Sequence, residues 1–235
     1  MLEKISLVRI DKALERVLKF EARLKGGDKT AIRLENIDKL VGSPANQEVS
    51  DRIAEDAITM LRDRRRVLPL DPASHRTVLN ISFTAREDSQ LDNPLEEALR
   101  EHFDRVIARR IEYSASPSAL DEAWEETDFA NVILCSMFTN QPPEYSCHGF
   151  STTQIEFVQR LIKREQPVIM VAFGDPRTIS LFPEVDCYLC LYSDCMASQR
   201  ALARELFGEL VLPVKGKLPV TLDSNFPYGF GQDLY

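Results

Sequence analysis

From Thr77 onward the chain alternates apolar segments typical of strands with amphipathic segments typical of helices, and this order constrains the fold more than any other feature. The strand-type segments are residues 77–83, 105–113, 129–138, 167–173 and 186–193, and the helix-type segments are 93–103, 116–126, 152–165 and 198–208. Strands that alternate with helices pair mostly in parallel, and the helices cover both faces of the sheet. The sequence therefore predicts an α/β fold: a three-layer α/β/α sandwich with a mostly parallel sheet of five to six strands and helices on both faces.

The residues before Thr77 predict two further helices. Apolar residues recur at spacings of three and four near the N-terminus, after a potential Ser6 cap and before a stop at Gly26 and Gly27; they are Leu7, Ile10, Leu14 and Val17. A second helix is expected at about 47–61, after a polar stretch that ends in the loop signal Gly42-Ser43-Pro44. We therefore divide the chain into a helix over 1–27, a linker with a helix over 28–72, and the sandwich over 73–235.

The charge balance narrows the choice of partners. The net charge is −8, whereas binding to nucleic acid needs clustered Lys and Arg that neutralise phosphates, so we expect no nucleic-acid partner. The basic run Arg62–Arg66 is interpreted as a solvated helix end. No stretch approaches the ~20 apolar residues that span a bilayer, and no secretory leader is visible, so we expect no membrane partner and a cytoplasmic location.

The five cysteines indicate buried, reduced thiols, because they have no framework spacing and most lie in apolar runs. Cys187 and Cys190 have the spacing of a redox or metal pair. Inside a strand, however, residues three apart point to opposite faces, and a zinc site would need two more ligands at matching spacing. We therefore interpret this pair as structural and expect no metal and no cofactor.

Three loops follow strands and are candidates for a binding site, because ligands of open α/β sheets lie outside the carboxyl ends of the strands. They are residues 139–150, 174–178 and 193–196. The first holds Glu144, Tyr145 and His148, and a carboxylate with an imidazole can act in general acid–base chemistry; the alternative is a solvated loop. In the second, Asp175 and Arg177 are candidates, and the alternative is that Asp175 caps a short helix.

Several familiar signatures are missing from the sequence. It contains no phosphate-binding glycine loop, no Gly-x-Gly-x-x-Gly after the first strand and no Gly-x-Ser-x-Gly elbow. The missing phosphate loop disfavours a flavodoxin-like redox domain. Taken alone, the residues predict an α/β domain with a candidate site on its loops.

The C-terminal motifs add a family resemblance. Residues 206–222, LFGELVLPVKGKLPVTL, followed by FPYGFG at 226–231, resemble the end of the second domain of family 3 glycoside hydrolases, where Leu-Phe-Gly leads to Gly-(Lys/Arg)-Leu-Pro-Val and a Tyr-Gly-x-Gly close. Residues 50–70 are similar to that family's linker helix, and residues 152–208 to the helices and strands before the close. The Ala-Ser-Gln-Arg motif at residues 197–200 is most similar to the bacterial β-N-acetylglucosaminidase branch. Residues 5–24 resemble the last helix of the family's catalytic (β/α)8 barrel.

The resemblance implies that catalysis belongs elsewhere. In this family the nucleophilic aspartate lies in the barrel, and no segment here resembles the barrel motif Lys-His-Phe-Pro-Gly-His. In the acetylglucosaminidase branch an Asp–His pair of the barrel supplies the acid, whereas in the β-glucosidase branch a glutamate of the second domain does. Glu144 falls in the corresponding loop but lacks the usual Glu-Gly and Asp-Arg context, so no catalytic residue is carried over.

The resemblance therefore predicts an accessory domain that supports a (β/α)8 barrel in cis or in trans, helps to shape the sugar site, and does not hydrolyse glycosides alone. A carbohydrate ligand and a homodimer through the first helix are further expectations. The alternative is a free-standing sugar-binding or protein-interaction module.

Overall fold

The structure, a computed structural model, describes residues 5–25, 36–84, 94–138, 149–210 and 214–233. Contacts between backbone positions divide the chain into two units, residues 1–46 and 47–235. Each unit is described by itself.

The first unit contains helix α1 (Leu7–Lys25), the short helix α2 (Ile37–Leu40) and the start of helix α3 (Pro44–Ala57). The predicted cap of α1 is confirmed, because the Ser6 hydroxyl accepts a hydrogen bond of 3.3 Å from the Arg9 N–H. The apolar side chains of α1 are exposed along its whole length, from 50% for Ile10 to 78% for Leu7. Helix α1 therefore has an amphipathic sequence but no covered face within the described residues.

The second unit contains the sandwich. After α3 its helices and strands are β1 (Thr59–Asp63), β2 (Thr77–Thr84), α4 (Pro94–His102), β3 (Arg105–Glu112), α5 (Pro117–Glu126), β4 (Val132–Phe138), α6 (Thr152–Leu161), β5 (Val168–Ala172), β6 (Cys187–Cys190) and α7 (Met196–Leu206). A short 3₁₀ helix, Pro176–Leu181, lies between β5 and β6.

The six strands form one sheet in the order β1-β6-β5-β4-β2-β3. Strands β2 to β6 are parallel to one another, and β1 pairs antiparallel with β6 at one edge. The predicted α/β fold with a mostly parallel sheet is confirmed.

Buried apolar side chains form one layer on each face of the sheet. Helices α4 and α7 pack on one face, with Leu99 and Leu202 fully buried. Helices α5 and α6 pack on the other face through Ala123, Phe157 and Leu161. Because both faces are covered, the central strands are apolar almost throughout, and β4 and β5 are buried at every position.

Two local predictions for residues 47–66 are wrong. The helix expected over residues 47–61 ends at Ala57, and residues 59–63 form strand β1. The run Arg62–Arg66 is accordingly not a helix end: Arg62 donates to the carbonyl oxygens of Pro183 and Val185. Pairing of β1 with β6 decides the structure here, because the local pattern of apolar residues fits a helix as well as a strand.

The C-terminal motif closes the β1 edge of the sheet. The Gly216 N–H donates to the Ile58 carbonyl at 3.1 Å, and the Gln232 N–H donates to the Met60 carbonyl at 2.8 Å. A Cβ atom at Gly216 would lie 2.3 Å from the Ile58 oxygen, and one at Gly231 would lie 2.3 Å from the Gly216 oxygen. The two glycines are therefore required because three backbone segments meet there.

Candidate functional site

The order of strands identifies the edge of the sheet that favours a binding site. The chain runs from β2 to its neighbour β3 on one side and then to β4 on the other side. Between β2 and β4 the direction of strand order reverses, and such a switch point opens a crevice outside the carboxyl ends of the strands. The connections that follow β2, β4, β5 and β6 all start at this edge.

Three of the predicted site residues, Glu144, Tyr145 and His148, lie outside the described residues. By sequence they belong to the connection that follows β4, which is one of the two strands at the switch point. Their role stays a prediction.

Asp175 and Arg177 are described and lie together after β5. The Asp175 carboxylate accepts hydrogen bonds of 2.9 Å from the Arg177 backbone N–H and 2.9 Å from its Nε–H, so the capping alternative is confirmed. The same hydrogen bond and the charge of Asp175 raise the pKa of Arg177. The Arg177 side chain is 65% exposed, so the pair is a solvated ion pair at the candidate edge, and its contact with a substrate stays a prediction.

The turn between β6 and α7 carries features that the sequence analysis did not identify. Tyr192 adopts a left-handed backbone conformation with φ of 62°, which is rare outside glycine and is often found near functional sites. Its hydroxyl donates to the Thr59 hydroxyl at 2.9 Å, and burial raises the pKa of Tyr192 to about 12 despite that bond. The phenol is therefore a neutral, structural group.

Cys195 stands at the N-cap position of α7. Its Sγ lies 3.4 Å from the Ser198 hydroxyl. Burial raises the pKa of the thiol, but hydrogen bonding with Ser193 and Ser198 outweighs burial, and the net pKa is lowered. Hydrogen bonds to a sulfur at a helix N-terminus favour the thiolate. Among the four described cysteines, Cys195 is exposed and the other three are buried.

Strand β2 is largely apolar, but the face that it turns toward α4 and α7 carries polar side chains near its carboxyl end. Asn80, Ser82 and Thr84 are buried and lie on the face of α4 and α7, and Ser136 of β4 pairs in register with Ser82. The Ser136 hydroxyl is 3.5 Å from the Asn80 amide oxygen. Within the described part of the chain, the Thr84 hydroxyl is buried without a hydrogen-bond partner. The Asn-x-Ser-x-Thr alternation was the sequence signal for this polar face.

The other three described cysteines are buried in strands, as predicted, and Cys147 lies outside the described residues. Cys187 belongs to the apolar layer under α4 and α7, and Cys190 to the layer under α5 and α6. Burial raises the pKa of both thiols well above the ordinary value, and it raises the pKa of Cys135 to about 12.

The described residues contain no group of three or more His, Cys, Asp or Glu side chains arranged to hold a metal ion. No described helix combines the length and hydropathy needed to cross a membrane.

Comparison with known proteins gives no match to a protein-family model and no match among curated proteins. Solved structures do match. A family 3 β-N-acetylglucosaminidase from Paenibacillus sp. str. FPU-7 superposes with a TM-score of 0.73 and 24% identity over 93% of this chain. The fold is that of part of a family 3 glycoside hydrolase. The fold predicted by the sequence resemblance is thereby confirmed.

Other solved structures share this fold. A fungal multi-domain family 3 β-N-acetylglucosaminidase matches 94% of this chain at 20% identity and a TM-score of 0.66. A β-glucoside phosphorylase matches 93% at 19% identity and a TM-score of 0.60. This chain spans 40%, 24% and 39% of the lengths of the three proteins, respectively. It corresponds to one part of much longer enzymes.

Proposed function

We propose that this chain is the accessory α/β domain of a β-glycosidase of the β-N-acetylglucosaminidase type. It supports a catalytic (β/α)8 barrel, supplied in cis or in trans, and contributes loops to the sugar site without hydrolysing glycosides alone. The observation that carries the proposal is the match to 93% of this chain but only 40% of the Paenibacillus enzyme.

The exposed apolar face of helix α1 is evidence for a barrel partner. Its stripe of apolar side chains at heptad-like spacing is exposed, and large exposed apolar patches mark interfaces. A packed barrel would cover this face, as the resemblance of residues 5–24 to a barrel helix implies.

The polar groups near the switch point are evidence for a carbohydrate ligand. The buried polar groups that lead to this edge along β2 and β4 are neutral hydroxyls and an amide, and the Asp175–Arg177 ion pair follows β5. Neutral hydrogen-bonding groups suit the hydroxyls and the acetamido group of an amino sugar. In this proposal residues 139–150 complete the sugar site, with Glu144, Tyr145 and His148 as its candidates.

A segment exchange tests the supporting role. The part of the Paenibacillus enzyme that matches this chain is replaced by this chain, and hydrolysis of an aryl β-N-acetylglucosaminide is compared with that of the remaining barrel part alone. We expect the exchange to raise the rate at least about tenfold above the barrel part. A folded hybrid, verified by circular dichroism, that is no faster than the barrel part would overturn the proposal.

The branch assignment is tested in the same hybrid. Glu144→Gln is expected to leave the rate within about tenfold, whereas loss of a true general acid costs roughly 10² to 10⁴. A loss in the upper part of that range would show that the acid comes from this domain, as in the β-glucosidase branch. Glu125→Gln, at an exposed position of α5, is the matched control.

The exposed face of α1 also favours a second candidate, a free-standing interaction module that dimerises through α1. Light scattering distinguishes the two. A dimer that becomes a monomer in Leu14→Asp supports the module, and a monomer in both forms supports the accessory domain.

A further inference from the structure

Helix α4 ends in a histidine that contacts the segment after α7. The His102 ring stacks on the Phe207 ring with centroids 3.7 Å apart and planes 7° from parallel. Phe103 also packs against Phe207, at 5.6 Å. The ends of two helices that are distant in sequence are thus joined through one aromatic cluster.

Both nitrogens of the His102 ring face hydrogen-bond acceptors. Nδ1 lies 2.9 Å from the Ala98 carbonyl oxygen, and Nε2 lies 3.0 Å from Glu209 Oε1. A carbonyl and a carboxylate only accept, and neutral imidazole has a single N–H. The two bonds can coexist only when the ring carries both protons, so the observed arrangement is that of the imidazolium.

The charged groups around the ring favour that form. Burial lowers the pKa of His102, but the Ala98 carbonyl, the Glu209 carboxylate and the charge of Glu101 outweigh it, and the pKa is raised above 6.5. From α7, the Arg204 guanidinium lies 3.5 Å from the Glu209 backbone oxygen and also pairs with Glu55 of α3. The charge of Arg204 is therefore paired with that of Glu55.

We propose that His102 is a pH-sensitive clamp that fixes the segment after α7 to the end of α4 while protonated and loosens it on losing a proton. The clamped residues, Phe207 to Glu209, lead toward Gly216, which closes the β1 edge. Because the pKa of the folded state is raised, the stabilisation is complete below about pH 6.5 and is lost as the pH rises through the raised value. Residues 207–209 are then held more weakly at alkaline pH.

Hydrogen exchange of two amides reports the clamp directly. The Glu209 N–H donates to the Arg204 carbonyl at 2.8 Å and the Gly208 N–H to the Glu205 carbonyl at 3.1 Å. We expect the protection factor of Glu209, corrected for intrinsic exchange, to fall about fivefold between about pH 6 and about pH 8.5. The fall should follow the His102 titration observed by NMR in the same sample.

Variants separate the clamp from other titrations. His102→Gln should remove the pH dependence of Glu209 protection. His75→Gln should retain it, because that histidine is half-buried and its Nδ1 lies 3.2 Å from the Asp71 carbonyl oxygen rather than near Glu209. Glu209→Gln keeps an acceptor but removes the charge, so it should shift the His102 titration to lower pH. A wild-type His102 titrating at or below 6.5, or protection that keeps its pH dependence in a folded His102→Gln, would overturn the proposal.

Discussion

Helices α1 and α4 are both amphipathic, yet they differ completely in what covers their apolar residues. In α4, Leu95 and Leu99 are 1% and 0% exposed, whereas in α1 Leu14 is 53% and Leu24 68% exposed. Periodicity therefore indicates that a helix has an apolar face but not where its partner lies. For α4 the partner is the sheet of the same unit, whereas no described residue covers the apolar face of α1.

The same contrast holds for close packing. The second unit carries crowded backbone junctions such as the one at Gly216, whereas the first unit is built from exposed helical surface. We expect substitutions in the second unit to change the free energy of unfolding strongly and matched substitutions in the first to change it little.

The largest difference is expected between two glycines. Gly216→Ala would place a Cβ atom 2.3 Å from the Ile58 oxygen and 2.5 Å from the Ala57 oxygen, so backbone segments must move, at a cost of about 4 kcal/mol. At Gly42, no described atom lies within 4 Å of an added Cβ, although φ is +67°. Gly42→Ala should cost about 1–2 kcal/mol, because alanine is strained in this backbone conformation. Urea denaturation followed by Trp124 fluorescence measures both, and equal losses would refute the contrast.

A pair of leucines tests the two helices directly. Leu99→Ala removes a fully buried side chain from α4 and should cost about 2–5 kcal/mol. Leu14→Ala removes an exposed side chain from α1 and should change the unfolding free energy by less than about 0.5 kcal/mol. A loss above about 2 kcal/mol in Leu14→Ala, measured by the same denaturation, would show that α1 is already packed in the isolated chain.

Two glutamate substitutions test the same contrast with a smaller change in the free energy of unfolding, and the substitution in the second unit should be stabilising. Burial raises the pKa of Glu205 from 4.5 to about 7. The folded state then holds a proton that the unfolded state has lost, so stability falls as the pH rises from about 4.5 to about 7 and stays reduced above it. Because one pH unit corresponds to about 1.4 kcal/mol, Glu205→Gln should stabilise the protein by up to about 3 kcal/mol at pH 8.

The control is Glu15→Gln in α1, where the carboxylate is 62% exposed and pairs with Lys19. This change should stay within about 0.5 kcal/mol at any pH. Thermal unfolding from about pH 4 to about pH 8 measures both variants. If Glu205→Gln kept the wild-type loss of stability above pH 5, another group would be responsible.

Most of the fold followed from the sequence because its signals are local. The apolar runs of β4 and β5 and the cap and stop residues at Ser6 and Gly208 predicted their structures correctly. Cys187 and Cys190 were correctly assigned to opposite faces of β6. Strand β1 was missed because its pairing with β6, more than 120 residues later, is not visible in a local pattern.

The candidate site was less predictable. The capping role of Asp175 was one of two stated alternatives, since the Gly-Asp-Pro turn is a local signal. The left-handed conformation of Tyr192 and the Thr84 hydroxyl, which has no hydrogen-bond partner among the described residues, depend on how distant segments pack, so no short motif predicts them. The order of strands that defines the switch point is likewise a property of the whole sheet.

Hydrolysis of a chromogenic aryl β-N-acetylglucosaminide by the purified chain alone tests the central claim most directly. An accessory domain that lacks the barrel should give no turnover above the buffer blank. Turnover that is lost in Glu144→Gln or His148→Ala would contradict this claim and show that the domain carries its own active site.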